Sequence, residues 1–434
     1  MCSQFTRDCQ EQRGFDFVAA HFACEQNPWS PICPSGYVNF GSAQNLLAQE
    51  WLPALLQDCE SPWAHGQDLM KYQAFTGMES CRQSVADYLS DLTGEPGPQS
   101  PTAAHIIMGN GLISLLEAVA LAVLDPADTV LVTAPVFPGL VTALQLRLQR
   151  SVALLPAFSD DGWRPSPQRL DERLSQQAAS GERVRAVVLC SPGNPVGYVL
   201  SADTIREFSQ VAARHDCVLI VDEVYASSVF GDTPFFSAVA LGEPHVIVLG
   251  GLSKDFGVAG FATGWACIRD PAIRRGVAAQ SHFYRLPTAA QQLTEHILQP
   301  ATRRTFLDGH RRRLQAAAGT AIRFLRAHDI IVGDVTAGLC LWLDLRGELR
   351  TATADGELEL YRFLLEEHRV HVSPGSGFHL REHGYFRLCF TQPEATLQEG
   401  LQRLVAGLTA FRSKTGSRAP VSEQPYSVRL ADAR

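Results

Sequence analysis

Lysine is scarce in this chain: only three of its 37 basic residues are lysines, Lys71, Lys254 and Lys414, and the others are arginines. Basic positions are therefore normally filled by guanidinium groups. Lys254 nevertheless stands in the stretch GGLSKDFGVAGFATGWA (250–266), among small residues. A position that keeps a primary amine in such a chain indicates chemistry that a guanidinium group cannot perform.

The chain also lacks an excess of positive charge, a CxxC pair and a long apolar run. Its net charge of -8 disfavours nucleic acid and anionic membranes as main partners, because phosphate binding needs a basic face. Its eleven scattered cysteines do not indicate a disulfide framework. The apolar stretch 112–124 is interrupted by Glu117 and is too short to span a bilayer. With no apolar signal segment near residue 1, we expect a cytoplasmic, reducing location.

Two charged motifs have simple interpretations. The run HRRR (310–313) lies in a polar helical pattern, and we interpret it as a solvated helix face. The stretch HLREH (379–383) formally matches the HxxEH pattern of zinc proteases. It directly precedes a predicted strand and has no evident third ligand, so we interpret it as a polar surface loop and predict no metal site.

The alternation of apolar runs and helical patterns indicates an α/β fold with two domains. Near-continuous apolar runs at 129–135, 184–192, 217–223 and 245–251 are typical of strands buried on both faces. Helical patterns between them predict a doubly wound, mostly parallel central sheet. We predict an irregular N-terminal arm (1–45) that packs with the small domain, a large domain (46–300), a smaller α+β domain (301–412) and a disordered tail (413–434).

Polar or glycine-rich residues follow four of the predicted strands. Asn110 and Gly111 open a helix, and Asn194 lies in the turn SPGNPVG. Asp222 and Tyr225 belong to VDEVY, and Ser253 and Lys254 to LSKDFG. Because ligands of open α/β sheets bind at the carboxyl ends of the strands, we expect these residues to converge on one crevice.

This set of groups matches the needs of one cofactor, pyridoxal 5′-phosphate. The Lys254 amine can form a Schiff base with the cofactor's aldehyde. Asp222 can hold the pyridine nitrogen protonated, so that the ring accepts electrons. Tyr225 and Asn194 can hydrogen-bond the ring oxygen O3′, and the helix N-terminus after Asn110 suits the phosphate.

The motifs also carry a family resemblance over residues 27–410. APVFPG, SPGNPVG, VDEVY, LSKDFG, SPGSGFH and GYFRLCF follow in the order typical of fold-type I pyridoxal-phosphate enzymes, the class I/II aminotransferase superfamily. NPWSPICPSGYVNFGSAQNLL and YQAFTGMESCRQSVADYL resemble the branch similar to 1-aminocyclopropane-1-carboxylate (ACC) synthases. The resemblance implies an aspartate-aminotransferase-like fold and a homodimer with its active site at the subunit interface.

The resemblance also implies a role for each matching residue. Lys254 would carry the cofactor and shuttle the proton at the substrate Cα, and Arg387 would grip the substrate α-carboxylate. Phe137 would stack on the ring. Asp222 would pair with the pyridine nitrogen, and Tyr225 and Asn194 would bind O3′. The implied phosphate contacts come from the backbone of Asn110, Gly111 and Leu112. Where family contacts to the phosphate are missing, either Ser253 and Asn110 substitute for them or the cofactor is held less tightly.

Four positions depart from the pattern of the family. The family usually has an arginine where this chain has Ala262, a serine at Gly251 and a tyrosine from the neighbouring subunit at Phe75, all three contacting the phosphate. Where ACC synthases have a glutamate near the substrate, this chain has Gln44. The last change removes a negative charge that would favour a cationic sulfonium.

Three functions stay open on the sequence. The first is elimination or replacement at the β or γ carbon of an α-amino acid with cleavage of a C–S bond, on S-adenosylmethionine or a cysteine conjugate, in a biosynthetic pathway. It would pass through an external aldimine and a Cα carbanion. The second is transfer of an amino group to a 2-oxo acid, which uses the same lysine. The third is a non-catalytic relative that serves as a binding module, motivated by the altered phosphate site.

Overall fold

The computed structural model describes residues 17–53, 69–94, 97, 99–158 and 162–415. Helix α1 (Phe17–Glu25) and the short strand β1 (Val38–Asn39) lie in the segment expected to be irregular. The helix forms because FVAAHFACE contains three alanines and neither glycine nor proline. Strand β1 pairs in parallel with Val370–His371, far along the chain.

A mostly parallel sheet forms the centre of the molecule, as predicted. Its strands are β2 (Ile106–Gly109), β3 (Thr129–Ala134), β4 (Ser151–Pro156), β5 (Val184–Cys190), β6 (Val218–Asp222), β7 (Val246–Gly251) and β8 (Gly264–Ile268). Within the described part of the chain they stand in the order β2-β8-β7-β6-β5-β3-β4. Only β8 runs antiparallel to its neighbours.

Both faces of this sheet are buried. In β6, Leu219 and Val221 pack into one apolar cluster, whereas Val218 and Ile220 pack into another. Successive residues of a strand point to opposite faces, so each face has its own core. This explains why the strands read as continuous apolar runs rather than as alternating ones.

Helices and their caps follow the sequence pattern. The helices up to the end of the sheet region are α2 (Glu79–Leu92), α3 (Leu112–Val123), α4 (Pro138–Thr142), α5 (Pro167–Ala179), α6 (Ala202–Arg214), α7 (Pro271–Ala278) and α8 (Thr288–Leu298). Ser201 is the N-cap of α6, since its side chain accepts a hydrogen bond from the Thr204 amide.

The C-terminal part combines long helices with a small antiparallel sheet. Its elements are α9 (Pro300–Arg326), β9 (Ile331–Val332), β10 (Cys340–Asp344), α10 (Ala354–His368), β11 (Val370–His371), β12 (Ser373–Pro374), β13 (Tyr385–Cys389) and α11 (Glu394–Thr415). The sheet order is β12-β13-β10-β9. Val38 and Phe40 belong to the apolar cluster of the C-terminal part, so the N-terminal segment packs against these C-terminal elements.

The HRRR run is not uniformly solvated. Arg312 and Arg313 are exposed, but His310 is fully buried and its Nε2 lies 2.9 Å from the Asn45 amide nitrogen. The solvated-face interpretation was therefore wrong for His310, because His310 falls on the same helix stripe as the buried Phe306 and Leu314.

Two further expectations concern the C-terminal region. HLREH follows the 3-10 turn Gly375–Phe378 and forms bends rather than helix. No cluster of potential metal ligands is present among the described residues. Helix α11 continues to Thr415, and residues 416–434, most of the predicted tail, lie outside the described residues. No described helix is long and apolar enough to cross a membrane.

Candidate active site

A cavity of about 450 Å³ opens at the carboxyl ends of the central strands. It receives residues from the ends of β5, β6 and β7, from the start of α3, from α1 and from β13. The predicted site residues among its lining are Gln44, Leu112, Phe137, Asn194, Asp222, Tyr225, Ser253, Lys254 and Arg387. These groups are brought together because the strand ends are in register: Cys190 pairs with Asp222, and Asp222 with Leu249.

Lys254 follows β7 and turns its amine into the cavity. Its Nζ donates a hydrogen bond to the Ala43 carbonyl oxygen at 2.7 Å. Its backbone carbonyl accepts one from Asn45 Nδ2 at 2.7 Å, so the backbone is held in place as well. Burial lowers the pKa of the Lys254 amine, and the Arg387 cation lowers this pKa further. An amine with a lowered pKa is more readily available as a nucleophile or a base.

Asp222 lies buried at the end of β6. Its Oδ1 accepts a hydrogen bond from the Val224 amide at 3.0 Å. Burial raises the pKa of the Asp222 carboxyl to about 6, whereas that hydrogen bond and the Lys254 cation act in the opposite direction. A buried carboxylate is stabilised by a cationic partner, and a protonated pyridine nitrogen is one.

Tyr225, Asn194 and Arg387 form a connected polar chain. Asn194 Nδ2 donates to the Tyr225 hydroxyl at 3.3 Å, and Arg387 Nη1 donates to Asn194 Oδ1 at 3.1 Å. Arg387 is only 2% exposed. A buried guanidinium group with donors directed at a cavity is suited to bind a carboxylate.

Three consecutive residues, Gly41, Ser42 and Ala43, contact three different groups of the cavity. The Gly41 carbonyl accepts a hydrogen bond from Arg387 Nη2. The Ser42 hydroxyl contacts His21 Nδ1 at 2.7 Å, and the Ala43 carbonyl accepts from Lys254. This anchoring segment, 41–43, therefore sets the positions of the arginine, the imidazole and the amine relative to one another.

The predicted phosphate end differs in detail from expectation. The Asn110 amide donates to the Tyr284 carbonyl at 2.8 Å and the Gly111 amide to the Gly109 carbonyl at 2.9 Å, so both are already used. Gly111 has a φ of 98°, and α3 begins immediately after it. The first-turn amides of a helix have no intrahelical acceptor, so the amide of Leu112, a lining residue, remains for an anion.

The departure at Gly251 has a structural basis. A Cβ at Gly251 would lie 2.6 Å from the carbonyl oxygen of Thr263, the residue just before the neighbouring strand β8. The serine that the family pattern has there does not fit this backbone. Ala262 lies close to the start of α3, since its carbonyl oxygen would be 3.7 Å from a Cβ at Gly111.

Three predicted site residues, Asn110, Gly111 and Phe75, do not line the cavity, and Phe75 lies elsewhere in the chain. Its ring packs edge-on against His282, with ring centroids 4.8 Å apart, and the Arg285 guanidinium lies over it. It does not line the cavity of its own chain. The interpretation that it serves a second subunit stays a prediction.

Sequence reasoning missed several residues that build the site. His21, Val18 and Phe22 of α1 line the cavity, and Asn45 joins Lys254 to the buried His310. Burial and the neighbouring arginines lower the pKa of His310 to about 4. None of these residues follows a predicted strand, so the strand-end rule could not find them.

A pair of buried thiols lies behind the polar chain. Cys340 and Cys389 face each other across β10 and β13, with their sulfur atoms 2.9 Å apart. Burial opposes ionisation of Cys389, but the Cys340 hydrogen bond and the Arg387 and Lys254 cations lower its pKa to about 7. The two thiols therefore lie close to the two cations of the site.

The residues present fit pyridoxal phosphate. The donor set offers an amine, a buried carboxylate and a phenol–amide pair within one cavity, and a helix N-terminus beside it. Gly139 leaves room for the Phe137 ring at the cavity wall, since a Cβ there would lie 2.4 Å from that ring. Fold and site together define a pyridoxal-phosphate-dependent α/β enzyme.

The chain belongs to the aminotransferase class I and II family, whose model matches residues 35–404. It is similar to 1-aminocyclopropane-1-carboxylate synthase 3 of Oryza sativa subsp. japonica, with 27% identity over 89% of this chain and 91% of that protein. It is 29% identical to 1-aminocyclopropane-1-carboxylate synthase-like protein 1 of Takifugu rubripes, over 88% of this chain and 63% of that protein.

Solved structures show the same fold. Aspartate aminotransferase from Thermus thermophilus with maleate superposes with a TM-score of 0.77 at 22% identity, covering 94% of this chain and all of that one. An aminotransferase from Mycobacterium tuberculosis gives a TM-score of 0.75 at 20% identity, covering 94% of this chain and 99% of that one. The predicted aspartate-aminotransferase-like fold is thus confirmed.

Proposed function

We propose that this enzyme acts on an α-amino acid with a neutral side chain and breaks a C–S bond at its β or γ carbon, by elimination or replacement. Bound pyridoxal phosphate supplies the electron sink for this chemistry. The observation that carries the proposal is that Lys254 and Arg387 both donate hydrogen bonds to the anchoring segment. The α-carboxylate would bind Arg387, and the Lys254 amine would take the Cα proton.

The charges of the cavity support a neutral side chain. Its charged residues are Asp222, Lys254 and Arg387, and each has a role in binding the cofactor or the α-carboxylate under this proposal. The remaining lining is mainly apolar and includes Val18, Phe22, Ile113, Leu140 and Ala259. Among the described residues that line this cavity within one chain, no second cation is left for a side-chain carboxylate and no anion for a sulfonium. A cysteine conjugate or another thioether therefore suits the cavity better than S-adenosylmethionine does.

We also propose that two copies of the chain complete the site. Phe75, Tyr72 and Arg285 form an aromatic–cationic cluster outside the cavity of their own chain. Tyr72 is 83% exposed in the single chain, which supports its burial against a partner. Sedimentation of the purified enzyme should give twice the mass of one chain, and a monomeric, fully active enzyme would contradict this assignment.

The cofactor assignment can be tested on the lysines. Reduction of the loaded protein with borohydride, followed by peptide mapping, should place the cofactor on Lys254, which is simple to read because the chain has only three lysines. Lys254→Ala should lose the visible absorbance of the bound cofactor, whereas the matched control Lys414→Ala should keep it. A label on Lys71 or Lys414, or unchanged absorbance in Lys254→Ala, would refute the role of Lys254.

The reaction type can be tested on its products. With S-alkyl cysteines, elimination should release a thiol together with a 2-oxo acid and ammonia, and replacement should release a thiol without ammonia. Transamination would instead require an added 2-oxo acid and would convert it into an amino acid without releasing a thiol. Formation of that amino acid as the main product would overturn the proposed C–S cleavage and leave the class of enzyme intact.

A further inference from the structure

His21 of α1 is held in one orientation by the end of β1 and the segment that follows it. Its Nδ1 lies 3.0 Å from Asn39 Nδ2 and 2.7 Å from the Ser42 hydroxyl. Its ring lines the cavity, and its side chain is 21% exposed. The imidazole is thus fixed at one edge and open to the cavity elsewhere.

The hydrogen bonds of Asn39 determine which nitrogen of His21 carries the proton. Asn39 Oδ1 accepts from the Gly41 amide at 3.1 Å, and Asn39 Nδ2 also donates to Glu25 Oε1 at 3.1 Å. Both contacts require the same orientation of the Asn39 amide, so its NH₂ group faces His21. In the neutral imidazole, Nδ1 therefore accepts and Nε2 carries the proton. Glu25 Oε1 lies 3.9 Å from Nδ1 and would pair with a protonated imidazole, which carries a proton on Nε2 as well.

The proton on Nε2 is available to a ligand. Nε2 is on the other edge of the ring, and no hydrogen-bond acceptor for it is found in the described part of the chain. Val18 and Phe22 of α1 are 66% and 60% exposed in the single chain and line the same cavity. The subsite therefore combines one directed donor with apolar walls.

The anchoring segment places this subsite relative to the reacting groups. Gly41 contacts Arg387, Ser42 contacts His21 and Ala43 contacts Lys254. His21 lines the same cavity as Arg387 and Lys254, so the side chain of an amino acid bound at those two residues can reach α1. We propose that His21 is a specificity-determining residue, whose Nε2–H donates a hydrogen bond to an acceptor atom in an otherwise apolar, uncharged substrate side chain.

This inference rests on the proposed function, since it presumes that an amino acid binds at Arg387. It narrows the substrate class to amino acids with a thioether, ether or similar acceptor in the side chain. Sulfur is a weak acceptor and oxygen a stronger one, so an ether analogue is the more sensitive probe. O-methylhomoserine and norleucine differ only by an ether oxygen in place of a methylene group.

The experiment measures the dissociation constants of these two amino acids from the loaded enzyme by their effect on the cofactor absorbance. The unmodified enzyme should bind O-methylhomoserine several-fold, up to about tenfold, more tightly than norleucine, as one net hydrogen bond allows. His21→Phe keeps an aromatic ring and should bring the ratio to about one. His21→Gln keeps a donor and should retain part of the preference, and His328→Phe, at an exposed helix end, should leave it unchanged.

The outcomes separate the two proposals. Equal affinities in the unmodified enzyme, or a preference that survives in His21→Phe, would overturn the role of His21 while amino-acid binding stands. If no amino acid changes the absorbance of a properly loaded enzyme, the proposed function itself fails. The ratio in the unmodified enzyme tests the inference even if His21→Phe does not fold.

Discussion

Replacing Ala262 by arginine tests where the cofactor phosphate binds. Ala262 lies beside the start of α3 and already adopts a left-handed conformation with a φ of 47°. Because alanine has a Cβ, the arginine adds no new backbone penalty there. Its exposed position leaves space for the longer side chain.

The expected gain follows from two opposing terms. A hydrogen bond between a guanidinium group and a phosphate contributes about 1.5–3 kcal/mol. Ordering the arginine side chain costs about 1–2 kcal/mol. The net gain of about 1 kcal/mol corresponds to an approximately fivefold lower dissociation constant for pyridoxal phosphate. Titration of the cofactor-free protein by absorbance measures this constant directly.

Gly260→Arg is the matched control, because it adds the same charge to the same turn two residues earlier, where a Cβ meets no atom within 4 Å. If both variants tighten binding equally, the effect is general charge attraction and the phosphate is not at Ala262. If Ala262→Arg has no effect, the assignment of the phosphate to the start of α3 is refuted.

Gly251→Ser, by contrast, should not improve cofactor binding and should lower the melting temperature, since its Cβ would clash with a backbone oxygen at a cost of about 1–3 kcal/mol.

Substitutions at three further positions test the network around the cavity. Burial raises the pKa of Glu223 to about 8, so the stability that its protonated form contributes is complete below the ordinary pKa of a glutamate and is lost as the pH rises through 8. The melting temperature of Glu223→Gln should therefore fall less between pH 5 and 9 than that of the unmodified enzyme, and an equal pH dependence of the two would contradict this. Asn194→Ala removes an acceptor of Arg387 and should raise amino-acid dissociation constants by about 10- to 100-fold. Asn194→Asp keeps an acceptor and should raise them less, and equal increases would refute the role of this hydrogen bond. Gly41→Ala would put a Cβ 1.9 Å from the buried His371 ring, so it should lower both the melting temperature and amino-acid affinity, and a neutral result would refute the close packing seen there.

The strand-end part of the site was predictable from the sequence. Asn194, Asp222 and Lys254 each follow an apolar run, and runs of that kind form neighbouring parallel strands whose ends lie at one edge. The register of β5, β6 and β7 then brings their side chains into one cavity. Local patterns are enough to predict these residues, because the ends of neighbouring parallel strands lie side by side in the sheet.

The rest of the site depends on contacts that no local pattern records. Asn45 reaches Lys254 across 209 residues and Gly41 reaches Arg387 across 346. The glycine-rich turn before α3 indicates an anion site, but it does not show that the amides of Asn110 and Gly111 are already bonded. Whether a backbone amide is free to bind an anion depends on which carbonyl groups the tertiary structure places next to that amide.

The pairing of β1 with β11 has a consequence for how the enzyme is made. Val38 pairs with Val370, and the Phe40 carbonyl accepts a hydrogen bond from the Cys389 amide. During synthesis on the ribosome, the segment that anchors Lys254, His21 and Arg387 therefore cannot form these contacts until nearly the whole chain has emerged. The central sheet can form before that point, since its strands end at Ile268. Contacts between such distant residues form slowly, so the cofactor pocket is completed in the last stage of folding, and a chain truncated before β13 would have the lysine without the arginine.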